Sequence, residues 1–222
     1  MRVAAILFDF DGVLVESEWA GNRQLADWLT ANGRTTTTEQ AMDLFMGLSG
    51  GAFRAAMERH WGGPLPEAFT AARRAEDEHV LREGVGEVAG AIAFVRALPA
   101  DLPRAIVSSS STHWIRTHLD HVGLTGDFPH VFSGKEHVAR GKPAPDLYLH
   151  AAAALGVAIG DCVIIEDSPV GATGAVAAGG YVIGLVAGSH CGGDHDDRLR
   201  AIGVDAVASS FADVASLIGL AP

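Results

Sequence analysis

Short apolar runs that stop abruptly at polar clusters, with helix-length stretches between them, recur along this 222-residue chain and leave few folds open. Residues 3–8, Val-Ala-Ala-Ile-Leu-Phe, are apolar without alternation and halt at Asp9-Phe10-Asp11-Gly12. Such a run suits a strand buried on both faces of a parallel sheet. Ala105-Ile106-Val107 precedes a predicted helix at about 111–122, and Val131-Phe132 precedes a loop and a helix at about 145–155. Cys162 to Ile165 precede a helix at about 170–178, and Tyr181 to Val186 and Asp205-Ala206-Val207 complete the series. Repeated β-α units predict an α/β fold, a Rossmann-like doubly wound parallel sheet with right-handed crossovers. Ligands of such sheets sit at the carboxyl ends of the strands, so the residues just after each apolar run are the candidates for chemistry.

Between Glu16 and Gly86 the pattern changes. Apolar residues recur at helical spacing in 19–32, 39–48, 52–61 and 67–82, with no strand alternation. The segment reads as an inserted α-helical domain, 16–86, and the α/β core as 1–15 together with 87–222.

Composition narrows the partners. Sixteen Lys and Arg against 27 Asp and Glu give a net charge of −11, which repels nucleic-acid phosphates and anionic lipid. Neither nucleic acid nor membrane is expected as a partner, and a monomer is expected. The chain is 48% hydrophobic, and one of this length buries about 70% of its unfolded surface, so no disulfide or structural metal is needed. Cys162 and Cys191 are the only cysteines, and the opening apolar run ends at Asp9, too short for a signal sequence. A cytoplasmic location is expected.

Four strand ends hold the candidate site. Asp9 and Asp11 lie two residues apart and project to one side, while Phe10 turns away. Like charges at that distance raise one pKa unless a cation intervenes. A calcium loop of the EF-hand kind would need oxygen ligands where Val13, Val15 and Ala20 stand, so that reading fails. Gly12 permits a sharp turn and a close approach of backbone to ligand. Ser108-Ser109-Ser110-Ser111-Thr112 opens a helix, where hydroxyls and free N–H groups make an anion site, although one hydroxyl suffices for a cap. Lys142, in Gly141-Lys142-Pro143-Ala144-Pro145-Asp146, is stiffened by prolines. Glu166 and Asp167 follow an apolar strand, where carboxylates are costly unless exposed or bound to a cation.

The four sets are chemically complementary. Asp9, Asp11 and Asp167 are hard oxygen ligands suited to Mg²⁺, and Lys142 and Ser108 would face the same phosphate from the other side. Together Mg²⁺ and Lys142 would reverse the local sign and admit an anion to an acidic protein.

These motifs, in this order, resemble the haloacid dehalogenase superfamily of phosphotransferases, subfamily IA, over essentially the whole chain. Asp9 to Ser17 resembles its first motif, Ser108 its second, Lys142 its third, and Glu166-Asp167 through Gly171 its fourth. The helical insertion is similar to the C1-type cap of relatives of β-phosphoglucomutase and phosphoglycolate phosphatase, which governs substrate choice. The resemblance implies that Asp9 is the nucleophile and forms an aspartyl-phosphate, with Asp11 as general acid and then base. It implies Mg²⁺ held by the Asp9 carboxylate, the Asp11 main-chain carbonyl and Asp167, with Glu166 acting through water. Ser108, Lys142 and the backbone of Gly12 and Ser109 would hold the phosphoryl oxygens, and Lys142 would pair with Asp9 or Glu166.

Departures from relatives point to hydrolysis of a small phosphorylated metabolite, a sugar or sugar-acid phosphate. True dehalogenases lack an acid at the position of Asp11. β-Phosphoglucomutase has a His where Gly21 stands, an Arg where Gly50 aligns and a Lys where Ser111 stands. Phosphoglucomutase-like transfer and a non-catalytic phosphate-binding module are the alternatives; the intact Asp9/Asp11 pair argues against the module. The loop Met46 to Gly51, with Arg54, is the candidate for reaching into the site, and His113 for touching the leaving group. Ser189 to Asp197 contains His190, Cys191 and His195, but the spacing matches no zinc pattern and a polar loop accounts for it.

Overall fold

The computed structural model describes residues 3–46, 48 and 50–220. Six strands, β1 (Ala5–Phe8), β2 (Arg104–Ser108), β3 (His130–Ser133), β4 (Cys162–Glu166), β5 (Tyr181–Leu185) and β6 (Ala206–Ala208), form one sheet. The order is β3-β2-β1-β4-β5-β6 and every pairing is parallel. The reversal of strand order places β1 at the centre, with β2 and β4 on either side. That is the switch point where doubly wound sheets open a crevice for ligand.

The unbroken apolar run of β1 is used on both faces. Ile6 and Phe8 join a cluster with Ile106, Phe128, Ile165 and Leu185, while Ala5 and Leu7 pack on the other side with Val107, Tyr148 and Ile164. Helices α5 (Ala91–Ala97), α6 (Thr112–His121), α7 (Asp146–Ala154), α8 (Pro169–Ala178), α9 (His195–Ile202) and α10 (Phe211–Leu217) accompany these strands.

Helices α1 (Ser17–Ala31), α2 (Thr38–Phe45), α3 (Gly50–Trp61) and α4 (Glu67–Glu83) lie between β1 and the rest of the core. They bury an apolar cluster of their own, Leu25, Leu29, Phe45, Met57 and Phe69, with Trp28 packed edge-on to Phe69 at 4.9 Å. The chain leaves and re-enters side by side. Glu16 donates its N–H to Gly86 O at 2.9 Å, and Val88 donates to Leu14 O at 3.0 Å.

The stretch read as a polar loop at 189–197 is a loop only in part, because α9 begins at His195. The sequence hides this helix because it buries only His195 and Leu199. Gly47 and Ser49, within the candidate substrate loop, lie outside the described residues.

Candidate active site

Asp9 follows the last residue of β1, and its N–H is donated to Ile165 O of β4 at 2.9 Å. The side chain is 10% exposed, and its Oδ1 accepts from Lys142 Nζ at 2.7 Å. No hydrogen bond reaches Oδ2 among the described residues. Phe10 is fully buried in the core, and Asp9 and Asp11 both line one cavity of about 490 Å³, as the alternation of side chains requires.

Asp11 is held by four donors. Ser17 Oγ at 2.7 Å and Trp114 Nε1 at 3.0 Å donate to Oδ1, while Ser110 Oγ at 2.6 Å and Ser108 Oγ at 3.4 Å donate to Oδ2. The serine run divides its work accordingly. Ser111 is the cap of α6, accepting from Trp114 N at 3.3 Å, while Ser108 and Ser110 face Asp11 and Ser109 lines the cavity.

Gly12 departs from the sequence expectation that its N–H would hold phosphate, since that N–H is donated to Val15 O at 2.8 Å. Its contribution is space. It has φ +82°, and a Cβ there would lie 2.1 Å from Asp167 Oδ2. Only glycine lets the turn after Asp11 pass so close to the carboxylate at the end of β4.

Lys142 reaches the centre of the site from the loop before α7, its side chain 3% exposed. Nζ lies 2.7 Å from Asp9 Oδ1 and 2.5 Å from Glu166 Oε1, so the ammonium pairs with both residues that the sequence offered as alternatives. Glu166 is fully buried and also accepts from the Tyr148 hydroxyl and from Ser168 Oγ at 3.2 Å. The missing side chain of Gly171 makes room for it, because a Cβ there would lie 2.1 Å from both carboxylate oxygens.

Asp167, 1% exposed, accepts on Oδ2 from His190 Nε2 at 2.7 Å, and its main-chain oxygen accepts from His195 Nε2 at 2.6 Å. Its Oδ1 is buried without a partner among the described residues. Oxygens of Asp9, Glu166 and Asp167 lie within 4.8 Å of one another. Burial, and then the charge of Glu166, hold the carboxyls of both Asp9 and Asp167 well above the ordinary range. Burial opposes the charge on Lys142, but contact with Asp9 and Glu166 outweighs it and raises the ammonium's pKa.

Three buried carboxylates against one ammonium are short of positive charge, and among the described residues Asp9 Oδ2 and the buried Asp167 Oδ1 face no donor. Both facts fit a divalent cation, and oxygen-only donors favour a hard one such as Mg²⁺. The carboxylate of Asp11 is turned into its own cradle, so the side chains that can ligate together are those of Asp9, Glu166 and Asp167.

Helical-segment residues line the same cavity, among them Leu25, Phe45, Leu48 and Phe53, and polar Glu18 and Arg73. Glu18 is pushed up to about 8 by burial and then by the charges of Asp167 and Asp11. His113 lines the cavity, as do Leu48 and Gly50 of the expected substrate loop. Arg54 does not line it, but extends into solvent and pairs with Glu58 at 3.4 Å, its side chain 62% exposed.

Ser17, Ser110, Trp114, Tyr148, His190 and His195 were not legible as members of the site. Ser17 lies in the run from Asp9, Ser110 in the serine run, and His190 and His195 in the polar stretch 189–197, which is the only signal that could have marked them. His190, Cys191 and His195 do offer ligand atoms within 4.8 Å of one another, although their spacing had argued against a metal site.

Residues 3–179 match the family model for haloacid dehalogenase-like hydrolases. Hexitol phosphatase A of Escherichia coli is 37% identical over 189 residues, covering 83% of this chain and 84% of the relative. The 6-phosphogluconate phosphatase of the same organism is 29% identical, covering 85% of each. Among solved structures, a HAD family hydrolase from Deinococcus radiodurans R1 with bound phosphate and sodium superimposes with a TM-score of 0.82 at 33% identity. It covers 99% of this chain and 97% of that one.

Proposed function

Since the chain belongs to the haloacid dehalogenase-like hydrolase family, we propose that it is a Mg²⁺-dependent phosphatase acting through an aspartyl-phosphate. It acts on a small phosphorylated metabolite, a sugar, sugar-alcohol or sugar-acid phosphate. The observation that carries this reading is Asp9, whose Oδ1 is gripped by Lys142 at 2.7 Å while the other oxygen is left for the cavity.

Asp9 Oδ2 attacks phosphorus in line, forming the Asp9 O–P bond as the bond to the substrate's ester oxygen breaks. Asp11 gives its proton to the departing alkoxide. In the second half Asp11 takes a proton from water as that water attacks phosphorus, the Asp9 O–P bond breaks, and inorganic phosphate leaves. Lys142, Ser108 Oγ and the backbone at Ser109 hold the phosphoryl oxygens as charge spreads over them. Mg²⁺, held by Asp9, the Asp11 main-chain carbonyl and Asp167, would add positive charge at those oxygens. Lys142, Tyr148 and Ser168 hold Glu166 rigid, and Glu166 shares the charge of Lys142 with Asp9.

Residues 16–86 act as the cap that selects substrate and excludes water from the covalent intermediate. The paired backbones at 14–16 and 86–88 are the natural hinge for that movement. Hydrolysis is favoured over mutase transfer by what the cavity lacks. Gly21 and Gly50 line it, and no described residue comes within 4 Å of where a side chain would start, so the positions that carry His and Arg in β-phosphoglucomutase hold no such group here. The names of the E. coli relatives point to hexitol and aldonic-acid phosphates, and a cavity of about 490 Å³ with both polar and apolar walls suits a chain of that size.

A screen of phosphorylated metabolites with and without Mg²⁺ tests the reading. Mg²⁺-dependent release of phosphate from hexitol or aldonate phosphates is expected. Turnover only of nucleotides or phosphoproteins would refute the substrate class, and no turnover of any phosphomonoester would favour a binding module.

A further inference from the structure

Two histidines with no part in phosphoryl transfer converge on one carboxylate. The loop after β5 carries His190, whose side chain is fully buried, and sends its Nε2 to Asp167 Oδ2 at 2.7 Å. Glycines admit the ring. A Cβ on Gly188 would lie 2.5 Å from His190 Cε1, and one on Gly12 would lie 2.8 Å from the same carbon. Five residues on, at the start of α9, His195 directs Nε2 to the main-chain oxygen of Asp167 at 2.6 Å. The side chain and the backbone of one residue are thus held from a single loop. What remains of Asp167 is Oδ1, buried and without a partner among the described residues.

We propose that His190 is a positioning residue for the cation site. By donating from Nε2 to Oδ2 it stops the carboxylate from rotating and makes Oδ1 the oxygen presented to the cation, while His195 fixes the main chain behind it. Partners that orient a ligand in this way typically change metal affinity by about 10- to 100-fold when removed. The inference rests on Asp167 as a cation ligand, the reading given above. The rival is a soft-metal site of His190, Cys191 and His195, since Cys191 Sγ lies 3.2 Å from His190 Nε2. Against it, both Nε2 atoms are already directed at oxygens of Asp167.

The test is Mn²⁺ titrated into the metal-free full chain without substrate, followed by calorimetry and by the paramagnetic resonance of free Mn²⁺. His190→Phe keeps the ring volume and removes the donor, and is expected to bind Mn²⁺ about 10- to 100-fold more weakly at an unchanged melting temperature. His190→Gln keeps an N–H donor and should recover most of the affinity. Unchanged Mn²⁺ affinity in His190→Phe overturns the proposal, as does a Gln variant no better than Phe. Should the Phe variant fail to fold, His190→Leu, which also lacks a donor, takes its place: Mn²⁺ binding weakened about 10- to 100-fold supports the proposal and unchanged affinity overturns it. Stoichiometric zinc in the purified protein, lost on His190 substitution while Mn²⁺ binding persists, would also overturn it. If the unaltered protein binds no Mn²⁺, the cation reading of Asp167 falls too, whereas loss confined to the variants concerns His190.

Discussion

Lys142 Nζ stands 2.7 Å from Asp9 Oδ1, and both side chains are almost wholly removed from water. The same nitrogen holds Glu166, so one ammonium is the counter-charge of two buried carboxylates. Lys142→Met should therefore harm fold and function together. Leaving buried charges unpaired costs about 3–5 kcal/mol, and losing one donor to a transition-state oxygen costs about 100- to 1000-fold in turnover. Chemical denaturation in EDTA and steady-state kinetics with Mg²⁺ measure the two effects separately.

Asp9→Asn should separate them instead. The nucleophile is gone, so turnover should vanish. One of three clustered carboxylates is gone as well, while Lys142 keeps Glu166. Without metal the variant is expected to melt at a higher temperature than the unaltered protein. A lower melting temperature in EDTA would mean that the cluster is not short of positive charge.

What could be read from the chain and what could not divide along physical lines. The strand of Ala5–Phe8 and its Asp9-Phe10-Asp11-Gly12 end were legible because an apolar run buried on both faces is a local signal. Lys142 was legible because its prolines and its place before α7 are local too. The cradle around Asp11 was not, since Ser110 and Trp114 are 99 and 103 residues away in sequence, and nothing about a serine or an indole announces its partner. Tyr148 and His190 were hidden for the same reason, being defined by carboxylates they meet only in the fold. The short helices α5 and α10 have seven residues each, too few for periodicity to speak.

Asp11 as the proton donor has a kinetic signature. Asp11→Asn should slow hydrolysis of alkyl phosphates about 100- to 10,000-fold, because their alkoxide needs a proton to leave. An aryl phosphate with an acidic phenol needs no such help and should keep a larger share of its rate. Trp114→Phe, which removes one of the four donors to Asp11, should show the same bias in weaker form. Equal losses on both substrate types would remove Asp11 from the acid role.

The acids of the site also set how the metal-free protein responds to pH. Glu18 is pushed up to about 8 from an ordinary 4.5, and Asp9 and Asp167 are raised as well, in each case first by burial. A folded protein whose carboxyls are raised holds protons that the unfolded chain has released. Stability is therefore greatest below the unfolded values, about 4, and falls as pH rises through the folded ones. For Glu18 that loss runs from 4.5 to about 8. Thermal melts in EDTA across this window should show falling stability in the unaltered protein and a shallower fall in Glu18→Gln. Mg²⁺ should raise the melting temperature most at the alkaline end, where the carboxylates are ionised and repel one another. A Glu18→Gln protein with the same pH slope as the unaltered one would place the raised acids elsewhere.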